Sequence, residues 1–272
     1  MTQTTTAIRA TGRVLSPVRS TFLVFDSFWT WYRKNWRASV TSGFLQPALY
    51  LVALGFGFGS QVRPGPITLG LPYVQYLAPA LLVASMMQIA AFESTYPVLS
   101  AFRWQQTFLA ITATPITPAQ VLGGQLTWIA ARLGFSAAAF ALIAAVLGAV
   151  TGPAIILAVF VAVLTGTAVA APIVAYAATL ETEGQGFNVL FRFIIIPMTL
   201  FAGTFFPVDQ LPGWVQPLVW ATPLWHGTEL ARDLAFGTVE LWQGLGHTAY
   251  LVGLLALGAY LGKRVFERKL AV

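Results

Sequence analysis

The chain of 272 residues is 57% apolar and only 9% charged, whereas soluble domains are about 25% charged, so it has too few charges to cover a surface that faces water. It contains no cysteine, which excludes disulfides, thiolate metal sites and thiol nucleophiles. The net charge of +6 does not indicate nucleic-acid binding, because the cations concentrate near the chain ends, where they suit an anionic membrane surface. We therefore expect an all-α integral membrane protein in contact with the lipid bilayer, without a nucleic-acid partner.

The first predicted element is an amphipathic helix over residues 21–37. Its basic residues lie mostly off the face on which five aromatic residues recur at spacings of three and four: Phe22, Phe25, Trp29, Tyr32 and Trp36. This pattern favours a helix lying in the membrane interface, and packing on another protein surface is the alternative. We accordingly divide the chain into a cytoplasmic tail with an interfacial helix, residues 1–38, and a membrane domain, residues 39–272.

Long apolar runs predict six transmembrane helices, since a spanning helix needs about 20 mostly apolar residues. The runs cover approximately residues 40–59, 73–96, 121–150, 153–180, 187–206 and 244–262. The third and fourth runs almost touch, and one helix through both would be too long for a bilayer. Gly148, Gly152 and Pro153 mark the expected break.

Lys and Arg residues near the chain ends predict the orientation. Six of them precede the first run and four follow the last, which makes ten of the 15 in the chain. Because such residues favour the cytoplasmic side, we expect both termini inside, in a cytoplasmic membrane. With six spans, the loops at residues 60–72 and 207–243 then lie outside, and those at residues 101–118 and 181–186 lie inside.

Three ionisable residues lie within or beside the apolar runs: Glu93, Arg132 and Arg192. Charges in membrane segments are costly and are candidates for function, here as a gate or coupling network near the inner helix ends. Anchoring of the helix ends is the alternative, and we prefer it. No run carries a row of acidic or histidine residues at mid-depth, which argues against a transporter driven by protons or ions alone.

The sequence has no motif for a reaction of its own. It lacks the G-x-x-x-x-G-K-[ST] phosphate loop, so the chain is not expected to hydrolyse ATP unaided. Its two histidines, His226 and His247, are too few for a histidine-based metal site, and its nine acidic residues are scattered. We predict no catalytic site and no bound cofactor or metal, and a membrane enzyme is the weakest interpretation.

The segment over residues 205–232 combines four prolines with several tryptophans and leucines. That proline density forbids one straight helix, while the segment is too apolar for an ordinary solvated loop. Broken helices at membrane depth are tolerated where protein or a cavity covers them. We therefore expect a re-entrant hairpin of two short helices that dips into the outer leaflet.

This segment resembles the same part of the type-2 ABC exporter permeases through the following residues, in order: Phe206-Pro207, Leu211-Pro212-Gly213-Trp214, Pro223-Leu224, His226, Glu229 and Arg232.

A second resemblance is to the inner loop in which those permeases place a short helix on an ATPase subunit, through Phe102-Arg103-Trp104 and Thr114-Pro115-Ile116. The chain lacks the glycine that many members have near Gln106 and the glutamate that many have near Leu109. With Leu122-Gly123 and Trp128, it is most similar to the nodulation-factor and daunorubicin-resistance branch.

The resemblance implies the permease subunit of an exporter that works with a second permease, identical or related, and with an ABC ATPase that binds the ATP and Mg²⁺. The cargo would be amphipathic, lipid-linked or drug-like. The residues implied in ATPase coupling are Phe102, Arg103, Gln105, Gln106, Thr107, Thr114 and Pro115. Those implied in an outer gate are Phe206, Pro207, Pro212, Trp214, Trp220, Pro223 and Trp225, with anchoring in the membrane interface as the alternative for the tryptophans. A non-transporting scaffold or assembly subunit is the rival function.

Overall fold

A computed structural model describes residues 16–65, 68–181 and 184–270, without the side chains of residues 35–48. The predicted N-terminal tail up to residue 15 lies outside this part. The described residues contain no strand and form α-helices joined by short π and 3-10 segments. In chain order the α-helices are α1 Pro17–Tyr50, α2 Tyr73–Ser94, α3 Tyr96–Arg103, α4 Thr107–Thr112, α5 Pro118–Val146, α6 Ile155–Thr179, α7 Gln185–Leu190, α8 Ile196–Phe201, α9 Gln216–Trp220, α10 Pro223–Phe236 and α11 Leu241–Leu270.

Four helical stretches in the described part of the chain are long and apolar enough to cross a membrane: Tyr73–Arg103, Pro118–Val146, Ile155–Thr179 and Leu241–Leu270. The prediction of an all-helical protein with several apolar helices is therefore confirmed. The two other predicted runs, residues 40–59 and 187–206, are mostly helical but contain π segments, at Leu51–Gly57 and Phe191–Ile195. A total of six spans stays a prediction, as does the side of the membrane on which each end lies.

The backbone of α1 joins the predicted interfacial helix to the first apolar run without a break. It continues after Tyr50 through the π segment Leu51–Gly57 and a 3-10 turn, Phe58–Gln61. Within the π segment, Gly55 lies against α2, where an added Cβ would come within 2.6 Å of a Val74 methyl carbon. Glycine permits this close approach of two helix backbones.

The aromatic face of α1 packs along α5. Trp128 of α5 meets Tyr32 edge to face, with ring centroids 5.4 Å apart, and Phe135 stacks on Trp29 at 5.9 Å. Part of this face is therefore covered by α5, while Phe22 is 59% exposed, and the place of the helix in the membrane interface stays a prediction. The side chain of Trp36 lies outside the described residues.

α6 lies at the centre of the bundle and contacts α2, α5, α10 and α11. The helices approach closely because small residues lie where they cross. Gly166 of α6 lies on the backbone of Met86, and Gly258 of α11 lies on Pro172, where an added Cβ would come within 2.6 Å of the ring. Small residues at crossings suit helices in a membrane, since lipid supplies no hydrophobic force between helices.

The chain reverses direction between α5 and α6 over residues 147–154, where Gly148 has a φ of 70°. α2 and α11 connect the two opposite ends of the bundle. α2 begins at Tyr73, whose hydroxyl donates a hydrogen bond to the Phe205 carbonyl at 2.9 Å. Near the end of α11, Phe266 contacts Phe102 of α3. We call the end with α3 and α4 the Phe102 end, and the end with α9 and α10 the Arg232 end.

Candidate functional site

α3 and α4 form a tight corner at the Phe102 end. α3 ends at Arg103, and the chain reverses at Gln106, which has a φ of 51° and a ψ of 28°. A residue other than glycine is uncommon in this left-handed region, whereas glycine adopts it without steric cost. The glycine that many type-2 permeases carry near this position suits such a turn. Gln106 adopts this conformation without being glycine, and its side chain is exposed.

Phe108 holds α4 against the bundle. Its ring is fully buried, 5.0 Å from the ring of Phe102 in α3 and 5.6 Å from that of Phe266 in α11, and the last two rings are 4.9 Å apart. We call these three residues the aromatic triad. Sequence reasoning identified Phe102 but missed the other two. Phe266 had a signal, because it is the one aromatic residue in the basic segment from Lys263 to Lys269.

The exposed surface of this corner is available to a partner. Of the seven predicted coupling residues, Phe102 is half-buried and the other six are exposed. Two apolar side chains beside them, Trp104 and Leu109, are 56% and 37% exposed. Arg103 lies 3.9 Å from Glu181, whose carboxylate also accepts from Lys269 at 3.2 Å. Exposed ion pairs contribute little to stability, so loss of the contact between Arg103 and Glu181 would cost little.

Two of the three predicted inner charges lie together. Arg132 Nη1 of α5 is 3.2 Å from Glu93 Oε1 of α2, with side chains only 17% and 15% exposed. The guanidinium also lies 5.6 Å from the ring centroid of Tyr32 in α1. The pair therefore joins three helices. Arg192 is exposed and takes part in none of the ion pairs among the described residues.

Arg232 connects three elements at the opposite end. It is 5% exposed; its Nη1 donates to Glu229 Oε1 at 2.9 Å, and its Nη2 donates to the Gly203 carbonyl at 2.8 Å. Its guanidinium lies 4.3 Å from the ring centroid of Tyr76 in α2. α10 is itself well defined, since Thr222 accepts a hydrogen bond from the Trp225 amide at its start and Pro223 occupies its first turn. Sequence reasoning matched Arg232 to the family pattern without assigning it a role.

A cavity of about 650 Å³ opens beside Arg232. Its polar lining comprises Asp209, Gln210, Gln216, Glu229, Arg232, Asp233 and Thr238. Its aromatic lining comprises Tyr76, Trp220 and Trp225. Three predicted gate residues thus line the cavity: Pro207, Trp220 and Trp225. Of the others, Phe206 is half-buried, Pro223 begins α10, and Pro212 and Trp214 are exposed.

Charge and burial act together on the titratable groups of α10. Burial raises the pKa of the Glu229 carboxyl, Arg232 opposes this shift, and the nearby Asp233 and Asp209 carboxylates add to it. Burial, and then the neighbouring His247, lower the pKa of His226 from 6.5 to about 4.

The two histidines of the chain meet between α10 and α11. Their Nδ1 atoms are 2.8 Å apart, so one neutral ring donates a hydrogen to the other. The ring of Tyr250 stacks on His226 with centroids 3.9 Å apart. The contact joins the gate segment to the last long helix.

Comparison with known proteins identifies the family. Residues 19–236 match the family described as ABC-2 type transporter. The chain is 28% identical over 253 residues to Nodulation protein J of Rhizobium meliloti, with 89% of this chain and 94% of that protein covered. It is 31% identical over 215 residues to Nodulation protein J of Sinorhizobium fredii, with 75% and 80% covered.

A shorter match of 97 residues, 26% identical, links it to a daunorubicin resistance ABC transporter permease protein of Streptomyces coeruleorubidus, with 36% of this chain and 34% of that protein covered. Both groups of relatives agree with the branch that the sequence motifs indicate. With most of its length matched, the chain belongs to the ABC-2 type transporter family of membrane permeases.

Proposed function

We propose that this chain is the permease subunit of an ATP-binding-cassette exporter in the cytoplasmic membrane, driven by a separate ATPase. The observation that carries the proposal is the α3–α4 corner. An element that receives force from a partner needs an exposed docking surface and a firm connection to the moving body. The corner has exposed side chains from Arg103 to Thr107 on its surface, and Phe108 buried between α3 and α11 beneath them.

The ATPase subunit, which binds the ATP and Mg²⁺, would dock on this corner. Its nucleotide-dependent motion would reach α11 through Phe108 and Phe266, and from α11 it would reach the central helix α6. The two-state element would be the whole helical unit, which rocks against a second permease copy, identical or related. Binding of ATP elsewhere shifts this equilibrium only if the ATPase contacts the two states differently.

The Arg232 end would form the outer gate. Gly227 near the start of α10 packs on Val83 and Thr165, which lie near the middle of α2 and α6. This depth supports a re-entrant hairpin that closes the pathway from outside. The cargo would be amphipathic, lipid-linked or drug-like, and the aromatic and aliphatic surface of the helices suits such molecules.

The test is ATPase stimulation in proteoliposomes that contain the full chain and the ATPase that co-purifies with it. Replacing Arg103 and Gln106 together by Ala should lower the stimulation several-fold, whereas Glu240→Gln, an exposed change at the other end, should leave it intact. Full stimulation after replacement of residues 103–107 by a Gly-Ser segment would contradict the coupling proposal. A bound, stimulated ATPase without movement of any amphipathic cargo would favour a scaffold subunit instead.

A further inference from the structure

The chain leaves regular helical structure over residues 202–206, directly after α8. Gly203 has a φ of 81°, in the region that glycine adopts without steric cost. Two carbonyl groups of this segment accept hydrogen bonds from side chains of α10. Thr228 shares its hydroxyl hydrogen between a carbonyl of its own helix and the Ala202 carbonyl, 3.1 Å away, and Arg232 Nη2 donates to the Gly203 carbonyl at 2.8 Å. These two residues are one turn apart, so they lie on the same face of α10.

α2 holds the same segment at a third carbonyl. The Tyr73 hydroxyl donates to the Phe205 carbonyl at 2.9 Å. One turn along α2, the ring centroid of Tyr76 lies 4.3 Å from the Arg232 guanidinium. We call the three hydrogen bonds to residues 202–205 the carbonyl latch. Because the donors are side chains, these carbonyls can exchange their partners for water without the loss of a helical hydrogen-bond ladder.

Two buried polar atoms at the latch have no hydrogen-bond partner in the described part of the chain. They are Thr204 Oγ1, in a residue that is 0% exposed, and Arg232 Nε. Unpaired buried groups cost free energy, so the latched arrangement is less stable than its three hydrogen bonds alone would make it. The cavity beside Arg232 adjoins the segment at Pro207, where water could hydrate released carbonyls. Together these observations indicate a segment that opens locally while the bundle stays folded.

We propose that residues 202–206 are the hinge of the outer gate and that the carbonyl latch holds this hinge closed. Hinges are short stretches at the ends of elements that absorb changes in φ and ψ. Opening breaks the three hydrogen bonds and lets α8 move relative to α10. Arg232 is then a positioning residue, which acts through the Gly203 carbonyl and does not need to touch the cargo. The proposal assigns a moving part to the outer gate, and in that respect it rests on the proposed permease function.

The experiment measures the rate at which N-ethylmaleimide labels the variant Thr204→Cys. The chain has no cysteine of its own, so the labelling has no background. The substitution is similar in size and removes none of the hydrogen bonds among the described residues. The purified full chain is used in detergent, without the ATPase. Since position 204 is fully buried, labelling should be slow, and its rate reports how often the hinge opens.

Two changes at the latch should accelerate the labelling. Tyr73→Phe removes one hydroxyl and keeps the ring, so the rate should rise several-fold, as expected for the loss of one hydrogen bond. Arg232→Lys should raise it at least tenfold, because an ammonium group cannot replace the planar fork that reaches both Glu229 and the Gly203 carbonyl. The matched control Tyr76→Phe removes a hydroxyl that holds none of the three carbonyls, and its rate should equal that of the parent.

A second cysteine position distinguishes local opening from general loosening. Ser94 is fully buried at the Phe102 end, and labelling of Ser94→Cys should be the same with and without Tyr73→Phe. Unchanged labelling of Thr204→Cys in both latch variants, or an equal rise at Ser94→Cys, would overturn the proposal.

The complex with the ATPase in proteoliposomes separates this proposal from the permease function. Labelling of Thr204→Cys should rise several-fold during ATP turnover, and further when Tyr73→Phe is added. Latch-dependent labelling in detergent that does not respond to ATP turnover refutes the permease function alone. A response to ATP turnover that neither Tyr73→Phe nor Arg232→Lys alters refutes the latch alone.

Discussion

Phe108 of the short helix α4 lies 5.6 Å, centroid to centroid, from Phe266 of α11, and both rings are fully buried. A buried phenylalanine truncated to alanine costs about 3–5 kcal/mol, because it loses transfer free energy and leaves a cavity. We expect Phe266→Ala to lower the unfolding temperature and to uncouple ATPase stimulation from transport, and Phe266→Leu to retain most of both. Thermal unfolding and ATPase assays in proteoliposomes measure the two effects. Normal coupling in a folded Phe266→Ala variant would remove the triad from the coupling path.

The left-handed backbone at Gln106 yields a stability prediction. Gln106→Gly should raise stability by up to about 1 kcal/mol, because glycine relieves the steric cost of φ near 51°, and its greater entropy in the unfolded chain offsets part of the gain. Gln105→Gly is the matched control, since Gln105 is not among the described residues with positive φ, and it should be neutral or destabilising. Thermal unfolding in detergent compares the two. Equal effects of the two changes would show that the turn carries no strain.

Two glycines of α11 provide a matched pair. Gly258→Ala should destabilise by about 1–3 kcal/mol, because its Cβ would lie 2.6 Å from the Pro172 ring in a packed core. Gly253 has open space around its Cβ position, so Gly253→Ala should stabilise by up to about 1 kcal/mol through helix propensity. The measurement is the unfolding temperature of each variant. A tolerated Gly258→Ala would indicate that α6 and α11 are farther apart than the described contact.

The Glu93–Arg132 pair should behave differently from an exposed pair. Glu93→Gln leaves a largely buried guanidinium without its charge partner, which we expect to cost about 1–3 kcal/mol. Glu267→Gln, in the exposed pair with Lys263, should change stability by less than about 0.5 kcal/mol. If adding Arg132→Met to Glu93→Gln restores stability and transport is retained, the pair acts only as a helix anchor. Restored stability with lost transport would instead assign it a functional role.

His226 predicts a dependence of stability on pH. Its folded pKa of about 4 lies below the ordinary value of 6.5, so the unfolded chain binds more protons between those values. Stability should therefore fall as the pH falls through this window. Unfolding temperatures at pH 7 and pH 5 should differ less in His226→Gln than in the parent chain. An equal difference in both would show that other groups control the acid sensitivity.

Much of the helical architecture could be predicted from hydropathy, because an apolar run of sufficient length has few alternatives to a helix in lipid. The turn near Gly148 follows from local sequence in the same way, whereas the short helix after Gln106 was expected only from the family resemblance. The partner of each helix face could not be predicted. The spacing of Tyr32 and Trp29 establishes an aromatic face on α1, but whether lipid or α5 covers that face depends on tertiary packing.

The same reasoning explains what was missed at the candidate sites. Phe108 and Phe266 are far apart in sequence, and each alone is an ordinary apolar residue. Arg232 matched a family pattern, yet nothing in its neighbours indicated that Gly203 and Tyr76 would bury it. Contacts between distant segments depend on packing that periodicity does not encode.

The length of α1 has a consequence for how the protein sits in the bilayer. Its 34 residues extend about 51 Å at 1.5 Å per residue, while the hydrocarbon layer is about 30 Å thick. For the predicted crossing of the bilayer by α1, even a tilt of about 40°, the upper end for such helices, leaves several ångströms of helix beyond the lipid tails. We expect this overhang at the N-terminal part of α1, where Trp29 stacks on Phe135 and Tyr32 contacts Trp128 of α5. A change in the tilt of α5 during transport would move the N-terminal part of α1 with it, so a spectroscopic label near Pro17 should report this motion.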